Sequence, residues 1–94
     1  MKLKITRSSG NVFSDLGFPR EEAEQLRLRS ELMFELCNYL REQNLNNTEA
    51  AKLLKLTPAR TSALMRGKFE DFRIDMLVAL AIRAGMQVEM KFAA

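Results

Sequence analysis

The chain has 94 residues, 47% of them hydrophobic, which suits one small domain with a buried core and leaves no room for several. It carries a mild net charge of +3, no histidine and one cysteine, Cys37. An intramolecular disulfide is therefore excluded, the commonest general base and metal ligand is missing, and the single thiol fits a reducing, cytoplasmic setting.

Residues 2–6, KLKIT, alternate Leu3 and Ile5 with Lys2 and Lys4, the pattern of a short strand or extended arm. The following SSGNVFSDLGFP, 8–19, is rich in Ser, Gly, Asn and Asp and reads as a loop or irregular arm. Its Val12, Phe13, Leu16 and Phe18 are apolar enough to pack on something. Pro19 is placed to open a helix, with Glu21 and Glu22 in a first turn whose dipole favours acids. Ala23, Leu26, Ser30, Met33, Phe34, Cys37 and Leu40 then recur at steps of three and four, which predicts an amphipathic helix near 20–43. Leu28, Leu32, Leu36 and Tyr39 form a second stripe that broadens its apolar face. Such a helix either lies at the centre of the core, covered on two sides, or offers a partner or dimer surface.

QNLNNT, 43–48, breaks the pattern and supplies three candidate N-caps, Asn46, Asn47 and Thr48. A short helix, EAAKLLK, follows with Ala50, Leu53 and Leu54 inward and Leu56 as a buried step. Thr57 caps the next helix, Pro58 takes its first position, Leu64 and Met65 face the core and Gly67 stops it. A last helix is predicted from about Ile74 to Ala84 through Leu77, Val78, Ala81 and Ile82, ended by Gly85. Asp71 and Asp75, four residues apart, read as caps near that helix, because two carboxylates without a third ligand make no metal site. MQVEMKF then alternates Met86, Val88, Met90 and Phe92 with Gln87, Glu89 and Lys91, which is a strand. A lone strand needs a mate. KLKIT, the same strand of a second subunit and a foreign sheet are the three choices, and pairing across a two-fold axis is favoured because symmetric dimers are the commonest oligomers.

Charge is unevenly distributed. From Glu21 to Glu42 six acids face three bases, whereas Lys52, Lys55, Arg60, Arg66 and Lys68 are five bases with no acid among them. That basic run coincides with the two short helices, which together make a helix-turn-helix pattern joined by Lys55–Thr57. Ala50 and Ala51 are small enough for close helix approach, and Leu54, Leu56 and Leu64 wedge the pair at a fixed angle. The second helix is then free to enter a DNA major groove about 12 Å wide. Pro58, Ala59, Arg60 and Ala63 are its slim outward positions, with Arg60 suited to guanine and Pro58 and Ala59 to a thymine methyl. Arg66 and Lys68, the first amides of the helix and Asn47 suit phosphates.

On these residues the chain resembles a known family. LNNTEAAKLLKLTPARTSALMRGK looks like the helix-turn-helix of Xre/Cro-like regulators, and GNVFSDLGF, EEAEQLRLRSELMFELCNYLRE and RGKFEDFRIDMLVALAIRAGMQVEM extend the likeness to small HigA-type antitoxins and orphan regulators. The resemblance implies a mainly all-α, lambda-repressor-like bundle of about four helices, with an N-terminal arm (1–18), a helical core (19–85) and a C-terminal strand (86–92) in one domain. It implies a homodimer that binds double-stranded operator DNA and represses a promoter, and for many members a RelE/HigB-like toxin partner. By position, Pro58, Ala59, Arg60, Ser62 and Ala63 match base-facing residues, and Asn47, Thr57, Arg66 and Lys68 match phosphate contacts. Met86, Val88, Met90 and Phe92 are assigned to the dimer or partner strand. Three departures stand out: Asn47 replaces the usual glutamine, Lys55 the turn glycine, and Thr61 an apolar β-branched residue. A left-handed Lys55 would cost about 1 kcal/mol.

The leading expectation is a cytoplasmic transcriptional repressor without cofactor, metal or catalytic residues. The alternative is a protein-interaction module whose main task is neutralising a toxin, through the arm, the face of 20–43 or the open strand. An enzyme is disfavoured because no nucleophile–base set and no phosphate-cradling glycine loop is present.

Overall fold

The computed structural model describes residues 2–6 and 12–91. In chain order it contains strand β1 (Lys2–Thr6), helices α1 (Val12–Asp15), α2 (Arg20–Glu42), α3 (Asn47–Leu54) and α4 (Pro58–Met65), a 3-10 turn (Phe69–Asp71), helix α5 (Ile74–Arg83) and strand β2 (Gln87–Lys91). The fold is a small, mainly helical bundle.

Local chemistry sets most of these boundaries. Of the three cap candidates Asn46 begins α3: its side chain accepts from Glu49 N at 2.8 Å, and the Glu49 carboxylate accepts from Asn46 N at 3.0 Å. The Thr57 hydroxyl accepts from Arg60 N at 3.2 Å, with Pro58 at the first position of α4. Pro19 stands at the N-cap of α2, immediately before its first residue Arg20. The far ends of α3, α4 and α5 close alike. A residue with positive φ (Lys55, Gly67 and Gly85) is followed by an amide that returns to the helix, Leu56 to Ala51, Lys68 to Ala63 and Met86 to Ala81.

The core forms around α2, whose Leu32, Met33, Leu36, Cys37 and Leu40 are buried against Leu54, Leu64, Phe72, Leu77, Leu80, Ala81 and Met86. Burying each large apolar side chain contributes about 1.5–3 kcal/mol. Three positions expected inward are not covered: Phe34 is 61% exposed, Ile82 60% and Leu53 39%. Periodicity places them on apolar faces, but no described element covers those faces fully. Phe34 instead borders an open groove of about 250 Å³, shared with Met33, Arg41, Met65 and Phe69.

Three further expectations meet a different outcome. The segment 8–19 is not wholly irregular, since α1 occupies Val12–Asp15. Phe13 makes edge-to-face contacts with Phe18 and Phe69, at 6.2 and 5.7 Å, and so ties this end of the chain to the bundle. The C-terminal strand has a mate within its own chain, where pairing across a two-fold axis was the favoured expectation: β2 pairs in parallel with β1, from Lys2↔Gln87 to Thr6↔Lys91. Parallel pairing demands a long crossover, and the helical bundle supplies it. Asp75 does not cap α5 either; it pairs with Arg73 at 3.5 Å, and the α5 N-cap has no side-chain hydrogen bond.

Lys55 carries the one left-handed cost at the site, with φ 57° and ψ 44°. We expect Lys55→Gly to raise stability by about 0.5–1 kcal/mol, the relief of backbone strain less the added freedom of the unfolded chain, as read from urea unfolding midpoints. The buried Cys37 thiol donates to the Leu64 carbonyl at 3.1 Å. Burial pushes its pKa up, while the Arg41 guanidinium pulls more weakly the other way. A raised folded pKa contributes stability that is complete below the thiol's ordinary value and lost as pH rises through the folded one. Wild type should therefore lose stability relative to Cys37→Ala in that alkaline window, in urea melts taken across pH, and should react slowly with thiol reagents at neutral pH.

Candidate nucleic-acid interface

The site is built from α3, α4 and the three residues between them. Left-handed Lys55 ends α3, Leu56 is half-buried, and Thr57 starts α4. Leu54, Leu64 and Ala51 are buried where the helices meet, as the wedge requires. Thr61 is fully buried, and its hydroxyl donates to the Thr57 carbonyl at 2.9 Å. The polar replacement thus returns its proton to its own helix and leaves no unpaired group in the core.

Side chains from elsewhere hold the two helices at their far ends. Arg83 of α5 donates to the Leu54 carbonyl at 3.0 Å, at the end of α3. From α2, Cys37 donates to Leu64 O and Arg41 to Met65 O at 3.1 Å, at the end of α4. Cations against terminal carbonyls also oppose the negative end of each helix dipole. These three anchors were invisible to sequence reasoning because each partner lies more than twenty positions away.

The leading half of α4 is open. Thr57, Pro58, Ala59 and Arg60 are exposed, Ser62 is half-buried, and Ala63 is half-buried and packs against the core. Of the base-facing set, Pro58, Ala59 and Arg60 thus stand fully outward, whereas Ala63 presents only part of its surface. The amides are less available than expected: Pro58 has none, Arg60 N bonds Thr57 Oγ1, and Thr61 N bonds Thr57 O. Ala59 keeps the open amide of this turn among the described residues.

Arg60 has a particular setting. Its guanidinium carbon lies 4.6 Å from the centre of the Phe72 ring, over its face. Among the described residues its side chain makes no hydrogen bond or ion pair, so its N–H donors are open. Asn47 donates to Ser62 Oγ at 2.9 Å, which links the first residue of α3 to the outer face of α4. Both hydroxyls, Thr57 and Ser62, act here as acceptors and keep a proton to donate.

The expected phosphate-facing cations, Arg66 and Lys68, are exposed past the end of α4, and Lys52 and Lys55 are exposed on the α3 side. None of these four forms an ion pair among the described residues. The strand residues assigned to a partner fare differently. Met86 is buried in the chain's own core and Val88 packs half-buried against it. Met90 lies on β2, opposite Ile5 of β1, and Phe92 falls outside the described residues.

The described residues hold no group of three or more His, Cys, Asp or Glu side chains placed to bind a metal. No described helix is long and apolar enough to cross a membrane. Residues 12–93 match the family model of a helix-turn-helix domain. No curated protein matches the chain.

Thr61→Val deletes a buried hydroxyl without stranding its acceptor, since Thr57 O keeps the bond from Thr61 N at 3.0 Å. The substitution should change stability by less than about 1 kcal/mol in either direction, by thermal or urea melting.

Proposed function

The chain belongs to the helix-turn-helix domain family whose model spans most of it, and from that premise we propose that it is a sequence-specific DNA-binding transcriptional regulator acting as a cytoplasmic repressor. The observation that carries this reading is the outward leading face of α4, with Arg60 unengaged by any acid inside a stretch from Lys52 to Lys68 that contains none. In it, Arg60 reads a guanine edge and Pro58 and Ala59 meet apolar base edges. Thr57, Ser62, Asn47, Arg66 and Lys68 fix the register on the phosphates.

The regulator acts as a homodimer on a pseudo-palindrome with half-sites about 34 Å apart. The groove bordered by exposed Phe34 supports an association surface there. Pairing of two β2 strands remains open only on the edge that β1 does not occupy. As in HigA-type antitoxins, a RelE/HigB-like toxin is the protein partner, and the same groove and the outer edges of the two-stranded sheet favour that second reading. A gel shift on the upstream promoter, with and without the neighbouring gene's product, separates repression from toxin capture.

The two kinds of DNA contact should respond differently to mutation. Arg60→Ala is expected to cost about 1–3 kcal/mol at the preferred duplex and to relax its sequence preference. Lys68→Ala should weaken binding to all sequences alike and reduce the salt slope by about 1. Footprinting and salt titrations check both, and an Arg60→Ala protein with unaltered affinity and preference would sink the reading.

A further inference from the structure

The contact between Arg60 and Phe72 has a use that the motif itself does not reveal. Phe72 follows the 3-10 turn, outside both motif helices, and is only 1% exposed. It is one of the large side chains of the core, and its backbone N–H bonds Phe69 O at 3.3 Å, so its ring is fixed by packing on one side. Arg60, by contrast, stands exposed on the first turn of α4, where a long side chain would ordinarily sample many rotamers. The one described contact of its guanidinium is with the face of that fixed ring, at 4.6 Å.

We infer that Phe72 is a positioning residue for Arg60, a core-anchored platform that holds the guanidinium plane ready to read a base edge. This rests on the DNA-binding reading above and deepens it. The geometry favours the role because all five N–H donors of arginine lie in the guanidinium plane. The ring contact engages none of those donors in a hydrogen bond among the described residues, so they stay free for the paired acceptors of a guanine. A side chain already held near its bound conformation loses less freedom on binding. Lysine at this position would keep the charge but lack a plane to stack.

The test uses the full-length protein and duplexes that the wild type selects from a random-sequence library. In the free protein, the Arg60 Nε–Hε NMR resonance should be displaced upfield of the other arginines by the ring current of Phe72; an undisplaced resonance overturns the proposal. Phe72→Leu, which keeps an apolar side chain in the core, should lower affinity for the selected duplex roughly threefold to tenfold. It should also narrow the ratio between that duplex and one changed at the Arg60 base pair. In an Arg60→Ala background Phe72→Leu should have no further effect, and an equal loss in both backgrounds would mean that Phe72 acts only through the fold. Arg60→Lys leaves the core untouched and serves if Phe72→Leu does not fold. It should retain the salt slope and lose the base preference, and undiminished preference overturns the proposal. A library that yields no preferred duplex sinks the DNA-binding reading and this one with it, whereas a selected duplex without coupling between the two residues sinks only this one.

Discussion

The angle between α3 and α4 depends on three residues, and within them on one left-handed backbone position. Lys55 reverses the chain so that Leu56 N can return to Ala51 O, and two residues later Thr57 starts a helix in a new direction. A lysine in that conformation is disfavoured by about 1–2 kcal/mol. The burial of Leu54, Leu64 and Thr61 at the corner more than offsets it, since each buried leucine contributes about 1.5–3 kcal/mol. The turn alone would still leave the helices free to splay. Arg83, Cys37 and Arg41 prevent that by holding the terminal carbonyls of both helices to α5 and α2. The far end of α4 is therefore tied to the bundle, while Pro58, Ala59 and Arg60 at its leading end stay exposed.

Electrostatics follow the same division. α2 carries most of the acids, and Arg27 answers Glu24 and Glu31 within the helix, at 3.2 and 2.7 Å. Such pairs on one helix contribute a few tenths of a kcal/mol each and add little to the fold. Their larger effect is to consume the charge of α2 locally. Lys52, Lys55, Arg60, Arg66 and Lys68 have no such partners among the described residues, so their charge stays uncompensated by ion pairs around α4. A modest net charge thus produces a strongly polarised surface.

Where an element begins and ends is written in neighbours, and that is why much of this architecture was legible. Asn46 with Glu49, Thr57 with Pro58, and Gly67 and Gly85 are cues that act over three or four residues. Even the departures were readable as problems. Lys55 had to turn left-handed and Thr61 had to satisfy a hydroxyl, and both do. What escaped are relations across the fold. Nothing near Arg60 announces a ring at position 72, and nothing near Leu64 announces a thiol at 37. Alternation identified the last strand but not its mate, because the pattern specifies a face and not a neighbour. Apolar spacing likewise drew Phe34 and Ile82 inward, since it cannot say how much of a face the rest of the chain covers.

The parallel strand pair joins segments from opposite ends of the described chain. The α2 and α5 helices also meet across the intervening motif, but this sheet has the widest sequence separation and requires the whole bundle to be threaded between its partners. Closing so long a loop is entropically costly, and the reward is a single short ladder. Loop-closure entropy therefore favours an order in which the helices gather before the sheet pairs. A short ladder at the ends of the described chain is the kind of element that opens at low cost, and the α3–α4 corner makes none of the main contacts with it.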